Sequence, residues 1–504
     1  MSDARTQTIV WQGWPHAPAP LGAILAARRD GGCAVVDDAG RPVPFGSWRL
    51  GVELLRGAWL RALDTALGTA AALLSGRRSP PLRDDRPGEG PVVLVVPILP
   101  DMSHTFVYRE VLAMLDERPD WRVVALTHNQ CSPVHDEARA VLQRATMLPR
   151  EGITRRALRI ARWLLRRPGR ELFALYRAAA GGRTADLLGK NPLRDARHPG
   201  NAFALADLLA ALPGGLPRHV HVYSSTYAAN VVMGACHLLQ VPFSISSYVD
   251  FEFHYAHKLL GEKLRRARFF RVVSQFCRQQ LHTLPDLPPL DDARVPVVDF
   301  GLDVDAWNET ATPPGRGVLV SAARLVPKKG FHLMPPALAA LRAQGVPVRW
   351  RLLGDGPERE RLQRLCEQHG VADLVDFLGA CDNATVRREL LGADAAVLPC
   401  VLTDDGERDG IPVFLAEAMA LCVPSVTTPV AGIPELVQHD VSGFLAPPGD
   451  VDALVATIAG VLNDRENAAT VGKRGREAVL RKFDVRKTAP QLRACIDPGI
   501  DAAR

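Results

Sequence analysis

A chain of 504 residues is longer than one hydrophobic core sustains, so two or three domains are expected. Apolar residues at 47% and charged residues at 23% exclude a mainly disordered polymer, and a net charge of +6 is too small by itself to imply a nucleic-acid partner. The nine cysteines stand singly with no C-x-x-C pair, which points to reduced thiols in a cytoplasmic protein rather than a disulfide framework or a zinc site.

Met1 opens a polar stretch with no basic segment followed by an apolar one, so no secretory signal is expected. Apolar residues between Leu50 and Leu74 are interrupted by Glu53, Arg56, Arg61 and Asp64, which excludes a span there. Residues 1–90 read as a packing extension, with one or two helices over 48–75, ending in the linker SPPLRDDRPGEG.

From Pro91 onward, short β-branched runs alternate with helical patterns. Strands are predicted at 92–98, 121–127, 219–224, 242–246, 271–274 and 295–300, with a helix over 105–115. A helical insertion over 151–215 interrupts this first domain of 91–307. Within it, Ile153, Ala157, Ile160, Ala161 and Leu164 follow helical spacing, and Arg155, Arg159, Arg162 and Arg166 cover the opposite face. Such a helix, near 153–167, suits peripheral contact with an anionic membrane surface, or equally a solvated arginine face.

The polar, Pro/Gly-rich residues 308–316 read as a hinge. A second strand series follows at 317–322, 348–354, 375–379, 395–399 and 424–428, within a domain of 317–480. A C-terminal helix in 481–504 is expected to return to the first domain. The fold class is therefore α/β, with two Rossmann-like parallel-sheet domains facing a central cleft where strand C-termini meet ligands.

Four clusters in the second series carry the chemistry. In SAARLVPKKGFH, a strand ends near Arg324 and a short loop brings Lys329 before Gly330, so two cations and a helix start can neutralise a diphosphate. Lys328 is expected to point elsewhere. LLGDGPERERL has Gly354 and Gly356 but Arg359 where a dinucleotide fingerprint needs its third glycine. VDFLGACDN exposes backbone near Leu378 to a flat base. In DGERDGIPVFLAEAMA, Asp409 and Glu417 are separated by seven residues, and Gly410, Ile411 and Pro412 open the helix that carries Glu417. Asp409 suits sugar hydroxyls and Glu417 the two ribose hydroxyls.

These motifs, with PSVTTPVAGIPELV and SGFLAPPGD in the same order, resemble the C-terminal domain of family-four retaining glycosyltransferases of the GT-B fold. PILPDMSHTFVYREVLAML, VSQFCRQQL and VDFGLDVDAW are similar to the exopolysaccharide branch that includes colanic-acid and amylovoran transferases. The resemblance covers roughly 91–498. Against the family pattern, Asp409 replaces the usual first Glu, Tyr248 with nearby Asp250 stands where a His is common, and Ser103-His104-Thr105 replaces Ser-Glu-Thr.

The resemblance implies transfer of a hexose-type sugar from a nucleoside diphosphate donor, uridine favoured, to a glycan or lipid-linked acceptor, with retention. Arg324, Lys329 and Asp409 would serve catalysis. Ser103, His104, Tyr248 and Asp250 would shape the acceptor and sugar side. It implies no cofactor and no bound metal, cations and helix ends taking that place, and a location at the inner face of the membrane. The pairs His254/His257 and His219/His221 have no third ligand nearby in sequence. A non-catalytic GT-B scaffold and a sugar-nucleotide epimerase of the same fold remain alternatives.

Overall fold

The computed structural model describes residues 35–36, 42–43, 89–101, 104–129, 135–149, 151–172, 198–249, 251–284, 287, 290–311 and 315–498. The helices expected over 48–75, together with Ser103 and Asp250, lie outside the described residues. β1 (Val35–Val36) pairs antiparallel with β2 (Pro42–Val43). The chain divides into two compact units, 1–80 with 150–204, and 81–149 with 205–504.

The larger unit holds two six-stranded sheets. The first comprises β3 (Gly90–Leu99), β4 (Arg122–His128), β5 (Ala145–Met147), β6 (Pro217–Val222), β7 (Phe243–Ser247) and β8 (Phe270–Val272), ordered β5-β4-β3-β6-β7-β8 with every pair parallel. Val95 pairs with Val124 on one side and Val222 on the other, all three fully buried. A strand covered on both faces needs such an unbroken apolar run, which is why VVLVVPI is legible. Helices α1 (Thr105–Glu117) and α2 (Asp136–Arg144) follow β3 and β4.

The second sheet comprises β9 (Val318–Ala322), β10 (Arg349–Leu353), β11 (Val375–Gly379), β12 (Ala395–Leu398), β13 (Ser425–Thr427) and β14 (Phe444–Leu445), ordered β11-β10-β9-β12-β13-β14, again all parallel. Trp350 fills its centre and donates from Nε1 to Ser321 Oγ at 2.9 Å, so the ring is buried without orphaning its N–H. Both sheets reverse direction of growth beside their first strand, at β3/β6 and β9/β12, and such a reversal leaves a crevice at the strand C-termini.

The last helix, Val485–Ile496, buries Val485, Ala489, Leu492 and Ile496 in the core that also contains Val107, Val111 and Met114 of α1. Its entry is fixed by Leu302 and Val485, whose backbones exchange bonds with Phe483 and Leu302.

Three expectations are corrected. The run 295–300 is not a strand: it meets β8 only through the bridge Val272–Val297. Pro296 has no N–H to continue a ladder. The short strands β5 and β14 extend the sheets beyond the predicted ones. In the smaller unit, α3 (Ile153–Leu164) buries Ile160 and Trp163, and Trp163 stacks on Phe203 at 5.8 Å, whereas Ala161 is exposed. Arg159 is paired with Glu151 and largely covered, so it leaves the expected cationic face. That face instead carries Leu158 and Leu165, 71% and 83% exposed, beside exposed Arg155, Arg162 and Arg166.

Candidate active site

The crevice of the second sheet is built by the loops after β9 and β12. Beyond β9, Arg324 lies exposed, Leu325 anchors the loop in the core, and Pro327–Lys329 forms one 3-10 turn ending at Gly330. Gly330 has φ +70°, and a Cβ there would lie 1.8 Å from the Pro399 carbonyl oxygen. Only glycine lets the two loops meet this closely.

Their meeting brings Lys329 onto Asp409, an ion pair between Nζ and Oδ2. Lys328 does not point elsewhere: its Nζ lies 4.0 Å from the other oxygen of Asp409. Cys400 Sγ donates to Asp409 at 3.8 Å. Burial pushes the Asp409 carboxyl up, but Lys329 and Lys328 more than offset this and hold it below the usual carboxylate range. Burial likewise opposes the charge on Lys329, and Asp409 restores it, leaving the ammonium raised. Two sequence-predicted site residues are thus one buried charge cluster.

Gly410 brings this cluster to the first sheet. A Cβ at Gly410 would lie 2.8 Å from the Tyr248 carbonyl oxygen and 3.1 Å from Val249. Ile411 is buried, and Pro412 occupies the cap of helix α11 (Val413–Ala420). Proline at this boundary suits a helix start, because the first N–H groups have no intrahelical partner.

Glu417, two turns into α11, is buried and accepts from Arg109 Nη2 of α1 at 2.9 Å. Arg109 Nε donates to Glu137 of α2 at 3.2 Å, and Asn383 Nδ2, from the helix after β11, reaches the same Glu137 oxygen at 3.0 Å. The guanidinium lies 5.9 Å from the Trp307 ring centre, and its Nη1 is buried with no hydrogen-bond partner. Burial opposes the Arg109 charge, but Glu417 and Glu137 outweigh that and raise it further. Burial raises the Glu417 carboxyl, and Arg109 offsets part of the rise. Arg109 and Glu137 escape the motif search. The available signal is an Arg-Glu pair, Arg109-Glu110, in the middle of an otherwise apolar helix where both turn out buried.

His104 sits at the N-cap of α1 without capping it through its side chain, and its Nδ1 lies 3.9 Å from Asp101. Tyr248 is half-buried, and its side chain is engaged by other parts of the first domain. Its ring packs edge-on against Phe106 at 4.7 Å, and its hydroxyl accepts from Arg271 Nη1 at 3.4 Å. Arg271 is itself fixed by Glu110 at 2.7 and 3.0 Å. What Tyr248 offers Gly410 is a main-chain carbonyl.

Gly354, at φ +129°, lies where a Cβ would be 1.9 Å from the Ala323 carbonyl, and Gly356 packs as closely on Leu325. These two glycines floor the Arg324 loop, and Leu378 at the end of β11 is exposed. His219 and His221 share the Ser244 hydroxyl at 2.7 and 2.8 Å inside the first sheet. Burial pulls His219 down to about 3, so it is neutral at physiological pH. Among the described residues no group of three or more His, Cys, Asp or Glu is placed to hold a metal.

Residues 306–478 match the family described as glycosyl transferases group 1. The chain is 38% identical over 202 residues to a Salmonella typhimurium protein assigned to colanic acid biosynthesis as the glycosyltransferase WcaL, covering 40% of this chain and 50% of that one. It is 34% identical over 166 residues to the amylovoran biosynthesis glycosyltransferase AmsK of Erwinia amylovora, covering 33% and 41%. The chain spans about half the length of the curated relatives it matches. Among solved structures, Anabaena Alr3699/HepE in complex with UDP and glucose shares the fold at TM-score 0.59 and 17% identity, covering 81% of this chain and 99% of that one. Sucrose-phosphate synthase from Thermosynechococcus elongatus does so at 0.60 and 18%, covering 82% and 100%. Residues 306–478 therefore form a glycosyltransferase group 1 domain within a chain of GT-B fold that is similar to glycosyltransferases of colanic-acid and amylovoran biosynthesis.

Proposed function

We propose that the protein is a retaining glycosyltransferase of exopolysaccharide biosynthesis, moving a hexose-type sugar from a nucleoside diphosphate donor to a glycan or lipid-linked acceptor. The observation that carries this reading is the cluster of buried Asp409 with half-buried Lys329 and Lys328 at the C-terminal crevice of the second sheet, followed directly by the α11 helix with Glu417. Positive charge there suits a departing diphosphate, and a carboxylate held ionised beside it suits sugar hydroxyls. HepE, with the same fold, is seen with UDP and glucose, which supports a uridine donor.

In this reading Arg324 and Lys329 neutralise the leaving diphosphate, assisted by the N-terminus of α11. Asp409 orients the sugar, and Glu417 accepts the ribose hydroxyls. Gly354 and Leu378 line the nucleoside end. The acceptor hydroxyl attacks from the face the diphosphate leaves, and the leaving phosphate takes its proton, so no enzyme carboxylate need become covalently attached. Rate then rests on positioning and on charge stabilisation. His104 borders the acceptor side.

A thermal-shift panel of nucleotide sugars tests the reading, because a ligand that binds only the native state stabilises it by mass action. One donor should raise the melting temperature, and that donor should release its sugar slowly without acceptor. Binding with no release would favour a non-catalytic scaffold. Inversion of a sugar centre without transfer would favour an epimerase.

A further inference from the structure

Glu417 is buried, yet its cation comes from the other sheet's domain: Arg109 of α1. A carboxylate removed from water stays ionised only if a counter-charge compensates for lost hydration. The neutral form would have a proton to donate and one strong acceptor fewer, which is the wrong state for holding two hydroxyls. Arg109 engages only one oxygen of Glu417, Oε1, in a single hydrogen bond. The groups that face this carboxylate are Arg109 from α1 and Glu137 from α2, and His135 lies beside Glu137. Among the described residues no second cation acts on Glu417.

We infer that Arg109 is a positioning residue for the donor: it holds Glu417 ionised and oriented for the ribose, so the nucleoside end of the site is complete only with the first domain in place. This rests on the reading of Glu417 as the ribose acceptor. Glu137 opposes the same effect, drawing on the same guanidinium and adding negative charge, while Asn383 ties Glu137 to the second sheet. The arrangement makes a first-domain residue set nucleotide affinity without touching nucleotide.

The test is calorimetric titration with whichever of UDP and GDP the wild-type protein binds, from about pH 5 to pH 8, on folded variants. Titration of the nucleotide's own phosphate is common to all, and Glu417→Gln supplies the baseline without the carboxylate. Arg109→Gln should weaken binding about tenfold at neutral pH, the scale of one lost charge-assisted bond. It should also move the acid loss of affinity to higher pH, because Glu417 protonates more readily without its cation. Arg109→Lys should recover most of that pH shift. Arg109→Gln added to Glu417→Gln should cost nothing further.

Glu137→Gln, at a half-buried position, carries the test should Arg109→Gln fail to fold: it should move the acid loss to lower pH. The inference is overturned by an Arg109→Gln protein that binds as tightly as wild type or tighter, by full additivity with Glu417→Gln, or by unmoved pH profiles in both the Arg109 and Glu137 variants. Unchanged binding by Glu417→Gln would instead remove the ribose reading itself, and nucleotide binding by neither UDP nor GDP would remove the donor reading.

Discussion

Asp409 and Glu417 lie on one loop and helix and are both buried, yet their charges are balanced in opposite ways. Asp409 is compensated from within its own domain, by Lys329 and Lys328 on the loop after β9. Glu417 is compensated from α1, a helix of the first sheet. The carboxyl of the first acid is held down and that of the second remains raised. In the proposed reading, the sugar-diphosphate end therefore takes its charge balance from the second domain alone, and the ribose end from both.

The largest effect should come from the self-contained end. Replacing Lys329 by Ala removes a half-buried cation from the proposed diphosphate site and leaves Asp409 with only the more distant Lys328. Turnover with the preferred donor should fall on the order of 10² or more. Arg324→Ala, at an exposed position, should lose turnover with no change in melting temperature. Near-full turnover in both variants would displace the diphosphate from this loop.

Next, the two acids should separate by ligand. Glu417→Gln should weaken free nucleoside diphosphate about tenfold, because ribose is present in product and donor alike. Asp409→Asn should leave free nucleotide affinity within a few-fold and reduce sugar-nucleotide turnover. Equal loss of free-nucleotide affinity in both would erase the distinction between the two ends.

A smaller effect concerns stability, and its sign differs between the two acids. Asp409 has a depressed folded pKa, so its contribution is fully present above its ordinary value of about 3.9 and is lost as pH falls through the folded value. Glu417 has a raised folded pKa, so its ionised form weighs against folding above that value and the penalty is relieved as pH falls through it. Asp409→Asn should therefore lower the melting temperature at pH 7 and approach wild type in acid. Glu417→Gln should cost less at pH 7. Thermal melts of the two variants at neutral pH and well below about pH 3.9, where the depressed carboxyl takes up its proton, decide this, and an Asp409→Asn deficit that persists unchanged there would show that the lysines do not stabilise the ionised form.

The self-contained end was also the more legible in sequence. Arg324, Lys329 and Gly330 stand in one short motif and Asp409 in another, and the loops after two adjacent strands, β9 and β12, bring Lys329 onto Asp409. Arg109 and Glu417 are far apart in the chain, and no spacing rule links them. Only the buried Arg109-Glu110 pair within TFVYREVLAML hinted that α1 carries charge into the interior. The same contrast holds for the strands. VVLVVPI and AAVLP are buried on both faces and announce themselves, whereas the two- and three-residue edge strands Phe444–Leu445 and Ala145–Met147 are too short for periodicity. VPVVDF shows the converse failure, a β-rich run that Pro296 keeps from extending its pairing. The contacts of the Tyr248 side chain with Arg271 and Phe106 were not legible either, because both partners are contributed by other elements.

The weakest expected effect concerns the smaller unit and membrane contact. Among the described residues no helix is long and apolar enough to cross a membrane. A transferase using a lipid-linked acceptor would then need surface attachment, and α3 is the candidate. With Ile160 and Trp163 packed inward, its outer face presents Leu158 and Leu165 seven residues apart, bordered by Arg155, Arg162 and Arg166. Residues spaced by seven share a helix face, so two leucines can enter the headgroup boundary while arginines meet anionic lipid. Each arginine near such a surface is worth ~1 kcal/mol, enough together for reversible, salt-sensitive attachment. Arg159, covered by Glu151, should contribute nothing. In flotation with anionic vesicles at low salt, Leu158→Gln with Leu165→Gln should release the protein, as should Arg155→Gln, Arg162→Gln and Arg166→Gln together, while Arg159→Gln should float like wild type. Activity on a soluble acceptor mimic should be unchanged in all three. Failure of the wild type to float would leave α3 a surface helix with its leucines in water.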